Sequence, residues 1–248
     1  MQNLITGIQQ CGIGTPNAHE AALYYKSLFG LDALVFDDTA EAVLMKAYTG
    51  NEVQKRRAIL TMNMQGGDGF ELWQFISRQP EAGCHPVRMG DLGLFAIKMK
   101  CPNVVAAYHH FSQVDHCSVS ALQKTPHDHF HFWLTDKYGQ VFNMVQATGL
   151  FKNNGNICGG VCGAVIGVSH LETSLLFYKN LLGLDVEAYN TTATNLGPVT
   201  YAAEKFHSVS LQKAAAANGA FSQLLGDIQI ELIESKEYTG KRIFHNRY

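Results

Sequence analysis

The chain has 248 residues, with 46% hydrophobic and 16% charged, a balance that belongs to a folded chain of one large or two ordinary domains and excludes a disordered tail. Its net charge is −2 and its Lys and Arg form no stripe, which argues against a nucleic-acid partner. No apolar run approaches the roughly 20 residues of a membrane span, and residues 1–10 lack a basic segment followed by an apolar one, so neither a membrane helix nor a signal peptide is expected.

From the N-terminus, a short β-rich run leads through Pro16 and Asn17 into a helix. Apolar Ala22, Tyr25 and Leu28 mark its inner side and Gly30 its end. Strands are predicted at 33–36, 57–64 and 70–76, with Gly66-Gly67-Asp68-Gly69 as a turn. A shorter middle unit follows. It has a strand at 94–99, a helix at 104–111 introduced by Cys101-Pro102-Asn103, a strand at 130–134, a turn at Asp136-Lys137-Tyr138-Gly139 and a strand at 141–146. Asn153 to Gly160, polar and Gly-rich, reads as a linker. The third unit carries a helix with Leu175, Tyr178, Leu181 and Leu182, with Ser169 as its cap and Gly183 as its stop. Strands at 209–212 and 228–233 follow, and the tail from Ser235 is assigned no structure. The six cysteines, at 11, 84, 101, 117, 158 and 162, show no paired spacing and read as reduced thiols of a cytoplasmic protein.

The chain repeats itself. Residues 11–32 and 164–185 align without a gap and are identical at nine of 22 positions, including Tyr25/Tyr178, Lys26/Lys179, Leu28/Leu181 and Gly30/Gly183. Each unit reads β-α-β-β-β, which gives three modules at about 4–77, 92–147 and 161–235.

The pattern of a strand followed by L-x-F-Y-K-x-x-L-G-L-D, as in residues 175–185, resembles the glyoxalase/bleomycin-resistance/extradiol-dioxygenase (vicinal oxygen chelate) superfamily. The middle unit's Asp136-Lys137-Tyr138-Gly139-Gln140 run, leading into its last strand, resembles that superfamily's closing hairpin. The resemblance implies an α+β fold in which two βαβββ modules pair into a cupped sheet, with a third module beside them. It places modules 1 and 2 in a first unit at residues 1–152, and the third module with the tail at 153–248. It also implies a divalent metal in the cup, held by the first and last strands of the paired modules. Those positions fall here on Gln10 and Glu71 in module 1, and on Leu94 (or Phe95) and Asn143 in module 2. Leu94 has no donor atom and Asn143 offers only an amide, so the ligand set is half present. In module 3 they fall on Gly163 and Glu231, and one carboxylate makes no metal site.

Strand alternation adds candidates. Around 129–134 it turns Phe130, Phe132 and Leu134 to the helix and His129, His131 and Trp133 to the cup. The same parity turns Glu71, Trp73, Phe75 and Asn143 inward. His131 or His129 would then complete a metal site with Gln10 and Glu71, Glu71 also moving a proton. The opposing view is a half-exposed sheet face and a metal-free cup. Lys98 shares parity with Leu94 and could point into the mouth of the cup, but is read in preference as a sheet-edge lysine.

Two functions compete. One is a glyoxalase-like lyase or isomerase that uses zinc, nickel, iron or manganese on a small substrate with vicinal oxygens, with dioxygenase-like ring cleavage a weaker variant. The other is a metal-free protein that stacks a small molecule on Trp73, Phe75 and Trp133, beside Asn143. A module without a partner would expose its face, so a homodimer through module 3 is expected, with no nucleic-acid or membrane partner.

Overall fold

In a computed structural model the described residues are 5–79, 85–147, 149–194, 196–198, 204–214, 219–226 and 228–243. Cys84 and residues 244–248 of the tail lie outside them. Module 1 comprises β1 (Gln10–Gly14), α1 (Ala18–Phe29), β2 (Ala33–Glu41), β3 (Lys55–Met62) and β4 (Gly69–Phe75). Module 2 comprises β5 (Gly93–Cys101), α2 (Val104–Phe111), the short strands β6 (Ser118–Val119) and β7 (Gln123–Lys124), β8 (Phe130–Thr135) and β9 (Val141–Gln146). Module 3 comprises β10 (Val161–Gly167), α3 (Leu171–Leu182), β11 (Val186–Ala193), β12 (Phe206–Gln212), a one-turn α4 (Ser222–Leu225) and β13 (Gln229–Ser235). Among the described residues no helix is long and apolar enough to cross a membrane.

The repeated helices form for the same local reasons. The Asn17 side chain accepts from the Glu20 N–H and caps α1. At the other end Gly30 takes a left-handed conformation (φ 68°) and its N–H bonds the Lys26 carbonyl; Gly183 (φ 65°) does the same to Lys179 after α3. The α3 cap differs from expectation: it is His170, one residue after Ser169, and its side chain makes no capping bond.

The modules pair differently from the sequence expectation. Module 1 forms its own four-stranded sheet, in the order β1-β4-β3-β2. The first strands of modules 2 and 3, β5 and β10, pair antiparallel. They fuse the two modules into one sheet in the order β11-β12-β13-β10-β5-β9-β8-β6, with β7 on β8. The cup therefore belongs to modules 2 and 3, not to 1 and 2. Modules 1 and 2 meet instead through their helices. Phe29 of α1 packs 5.8 Å from Phe111 of α2 and 4.9 Å from Phe142 of β9, between ring centres. The Tyr25 hydroxyl donates to Asp136 Oδ2 at 2.7 Å.

Two further ties lock this arrangement. Lys100 on β5 reaches Asp68 Oδ2 at 2.7 Å and the Gly66 carbonyl at 2.6 Å, both in the β3–β4 turn. Burial pushes the Asp68 carboxyl up to about 8, against the pull of Lys100. Gln65 hydrogen-bonds the segment read as a linker at Asn154, Asn156 and Cys158, so that segment is pinned. The tail is likewise attached: Leu92 and Ile243 exchange backbone bonds with Lys241 and Leu92, and Tyr238 donates to Asp91.

Candidate functional site in the cup of modules 2 and 3

β5 lies at the centre of the large sheet and is buried nearly throughout. Its Lys98 is only 2% exposed, so it is not a sheet-edge lysine. The Leu94 position expected to face the cup is 37% exposed, and Phe95 is buried against Trp133. The cup-facing polar residue of the first strand is Lys98, in register with Asn143 on β9 and Gly163 on β10.

Lys98 is the hub of a buried polar cluster. Its ammonium lies 2.7 Å from Glu231 Oε2 and donates to Asn143 Oδ1 at 3.0 Å. Ser208 donates to Glu231 Oε1 at 2.6 Å. Burial by itself raises the Glu231 carboxyl, but Lys98, with bonds from Ser208 and Tyr189, brings it below its ordinary value. Asn143 Nδ2 lies 3.1 Å from His131 Nδ1. Burial and the nearby Lys98 lower the His131 imidazole to about 4, against the pull of Glu231, so the ring is neutral at pH 7.

Lys98, Glu231, Asn143 and His131 wall a cavity of about 270 Å³ that Tyr189, Gln229, His127 and His129 also line. The expected parity of β8 holds: His131 and Trp133 face the cavity, while Phe132 and Leu134 are fully buried in the core. Phe130 departs from it, lining the cavity at the strand's end. The Trp133 indole N–H is buried without a hydrogen-bond partner among the described residues, as is Gln229 Oε1.

The other expected site residues lie on the module 1 sheet. Gln10 Nε2 donates to Glu71 Oε2 at 2.5 Å, so those two are brought together. They do not meet His131, His129 or Asn143, which belong to the other sheet. Trp73 and Phe75 are covered by cations, Arg56 lying 5.0 Å over the first ring and Arg78 4.6 Å over the second. The module 1 face is otherwise open: a side chain built at Gly12 or Gly14 meets nothing within 4 Å.

Neither place holds a full metal-ligand set. Among the described residues no group of three His, Cys, Asp or Glu side chains converges. In the cup the donor atoms that a divalent ion needs are taken by an ammonium, and a second cation beside Lys98 would be repelled. Sequence reasoning put Glu231 at the cup-facing position of its strand, where it lies, but read Lys98 as a sheet-edge lysine and so missed their pairing. The available signal was a lysine inside the apolar run Leu94–Met99, which only a buried carboxylate partner makes tolerable.

No protein-family model and no curated protein matches the sequence. Solved structures do match in shape. Glyoxalase I from Zea mays superposes with a TM-score of 0.56 at 13% identity, over 94% of this chain and 69% of that one. Its V278E variant gives 0.57 at 12% identity, over 94% and 69%. A candidate dioxygenase of Bacillus subtilis gives 0.56 at 12% identity, over 92% of this chain and 63% of that one. The βαβββ repeats, the fused cupped sheet and these superpositions together identify the chain as an α+β protein of the vicinal oxygen chelate fold.

Proposed function

We propose that the cup of modules 2 and 3 is a metal-free binding site for a small molecule. The observation that carries this is the Lys98 ammonium, buried and bonded to Glu231 and Asn143 at the centre of the cup. It supplies from the chain itself the positive charge that a metal would bring, and it consumes the carboxylate that a metal would need. The cavity of about 270 Å³, walled by Trp133, Tyr189 and His131, has the mixed apolar and polar lining of a ligand site. Five free cysteines among the described residues fit a reducing cytoplasm.

A second reading rests on the Gln10–Glu71 bond. An amide and a carboxylate held together on an open sheet face are half of a divalent-metal ligand set. A lyase or isomerase that uses it needs the remaining ligands from another module or chain.

Association through module 3 belongs to this proposal, with its surface changed. Module 3 joins module 2 edge to edge in one sheet and so has a partner within the chain, and the reason first given for a dimer falls away. The helix face takes its place: Leu176, Phe177 and Leu181 of α3 are 64%, 57% and 53% exposed.

The test is metal analysis of the full chain purified without chelator, then after exposure to zinc, nickel, iron and manganese, beside the variants E71A and E231A. The proposal expects no stoichiometric metal in the cup. Metal lost in E71A alone supports the second reading. Metal that survives E71A and disappears in E231A sinks the metal-free cup.

A further inference from the structure

The hydrogen bonds of the cup fix where its protons are, and so what it recognises; this rests on the metal-free site proposed above. An ammonium only donates, so the Asn143 atom 3.0 Å from Lys98 is the amide oxygen. The Asn143 amide nitrogen therefore faces His131, and it too only donates, so His131 Nδ1 accepts. A neutral imidazole that accepts at Nδ1 carries its proton on Nε2. Lys98 thus sets the tautomer of His131 through Asn143 without touching the ring. No hydrogen bond to Nε2 is found among the described residues, and His131 lines the cavity.

Lys98 spends two of its three protons on Glu231 and Asn143, leaving one N–H to give. The cavity wall therefore offers the His131 Nε2–H and a third Lys98 N–H, both beside Asn143. Gln229 Oε1, also in the wall, is an acceptor without a partner among the described residues.

The charge of the wall narrows the ligand. Lys98 and Glu231 cancel, Lys124 in the wall is paired with Asp128 at 2.6 Å, and His131 is neutral. A carboxylate brought into this cup loses its water and finds no free countercharge. An uncharged oxygen acceptor finds donors without that penalty. The volume, about 270 Å³, lies just under the roughly 300–1,000 Å³ of pockets for drug-sized ligands and suits a molecule of about one ring.

The geometry points to a specific ligand class: a small, planar, uncharged carbonyl compound whose oxygen accepts from His131 Nε2–H and Lys98, with a donor of its own for Gln229. Asn143 acts as a positioning residue, since it sets the His131 proton without facing the ligand's oxygen itself.

Three probes that share a phenol ring test this: 4-hydroxyacetophenone, 4-hydroxybenzoate and 4-ethylphenol, titrated by calorimetry at pH 7.5 into the full chain and into H131F. The expected result is that 4-hydroxyacetophenone binds at least about tenfold more tightly than either of the others, and that H131F, which keeps a ring but not its N–H, erases the advantage over 4-ethylphenol. Equal or tighter binding of 4-hydroxybenzoate or 4-ethylphenol overturns the ligand class and leaves the metal-free cup standing. No binding of any probe overturns the inference; a metal in the cup, found by the analysis above, removes both. Long-range ¹⁵N–¹H spectra of histidine-labelled protein give an independent readout. The Nε2–H form is expected for His131 in the wild type, with a mixture of tautomers in N143A. A wild-type Nδ1–H form overturns the relay.

Discussion

Lys98 Nζ lies 2.7 Å from Glu231 Oε2, and the two side chains bridge the first strand of one module and the last strand of the next. Each is almost wholly buried, at 2% and 5% exposed. Each makes the other tolerable, because either charge alone would stand unpaired in a core. K98M is therefore expected to lower stability by about 3–5 kcal/mol, and K98M/E231M to recover much of that loss, since removing one partner of a buried pair is worse than removing both. Urea denaturation of wild type, K98M and K98M/E231M measures it. A double variant no better than K98M would show that the pair is not coupled in this way.

The repeat offers a matched experiment. Leu28 and Leu181 occupy the same place in two copies of one helix, yet Leu28 is 7% exposed and Leu181 53%. Leu28 is covered because α1 lies against module 2, whereas among the described residues α3 has no such layer over it. L28A should cost about 2–5 kcal/mol and L181A within about 0.5 kcal/mol for the isolated chain. If chains associate through α3, L181S shifts the sedimentation profile toward monomer and the L181A cost grows with protein concentration.

Tyr25 ties the first module to the second through its bond to Asp136 at 2.7 Å. Burial raises the Asp136 carboxyl, and the Tyr25 bond opposes that rise. Y25F keeps the ring and its packing but leaves a buried carboxylate oxygen short of a donor. A loss of about 1–3 kcal/mol is expected in thermal or chemical unfolding. A neutral substitution would mean that water replaces the hydroxyl.

His131 makes stability fall in acid. Its folded value, about 4, lies below the ordinary 6.5, so the folded state binds fewer protons than the unfolded chain between those values. Stability is retained above the unfolded value and lost as pH falls from about 6.5 toward 4, by on the order of 3 kcal/mol. Burial of the ring is the main cause, Lys98 adds to it, and Glu231 opposes it. H131F should flatten that part of the stability–pH curve relative to wild type, measured by urea midpoints in steps across the range.

How much of this was legible from the chain can be judged residue by residue. The helix at Ala18–Phe29, its stop at Gly30 and its repeat at Leu171–Leu182 were read from spacing alone. They depend on local bonds and a period that sequence displays directly. The inward parity of His131 and Trp133 was legible for the same reason, because alternation in a strand is local. Strand β11 escaped, since Val186–Ala193 carries too few apolar residues to read as one.

Sequence by itself determined the module, its count and the face that β8 turns inward. Which modules share a sheet was decided only by tertiary structure, because an edge strand's free N–H and C=O groups carry no mark of their partner. The β5–β10 pairing moved the cup to modules 2 and 3, separated Gln10 and Glu71 from His131, and buried Lys98. A lysine's charge is printed in the sequence, but its burial and its carboxylate partner, 133 residues away, exist only once the strands are laid side by side.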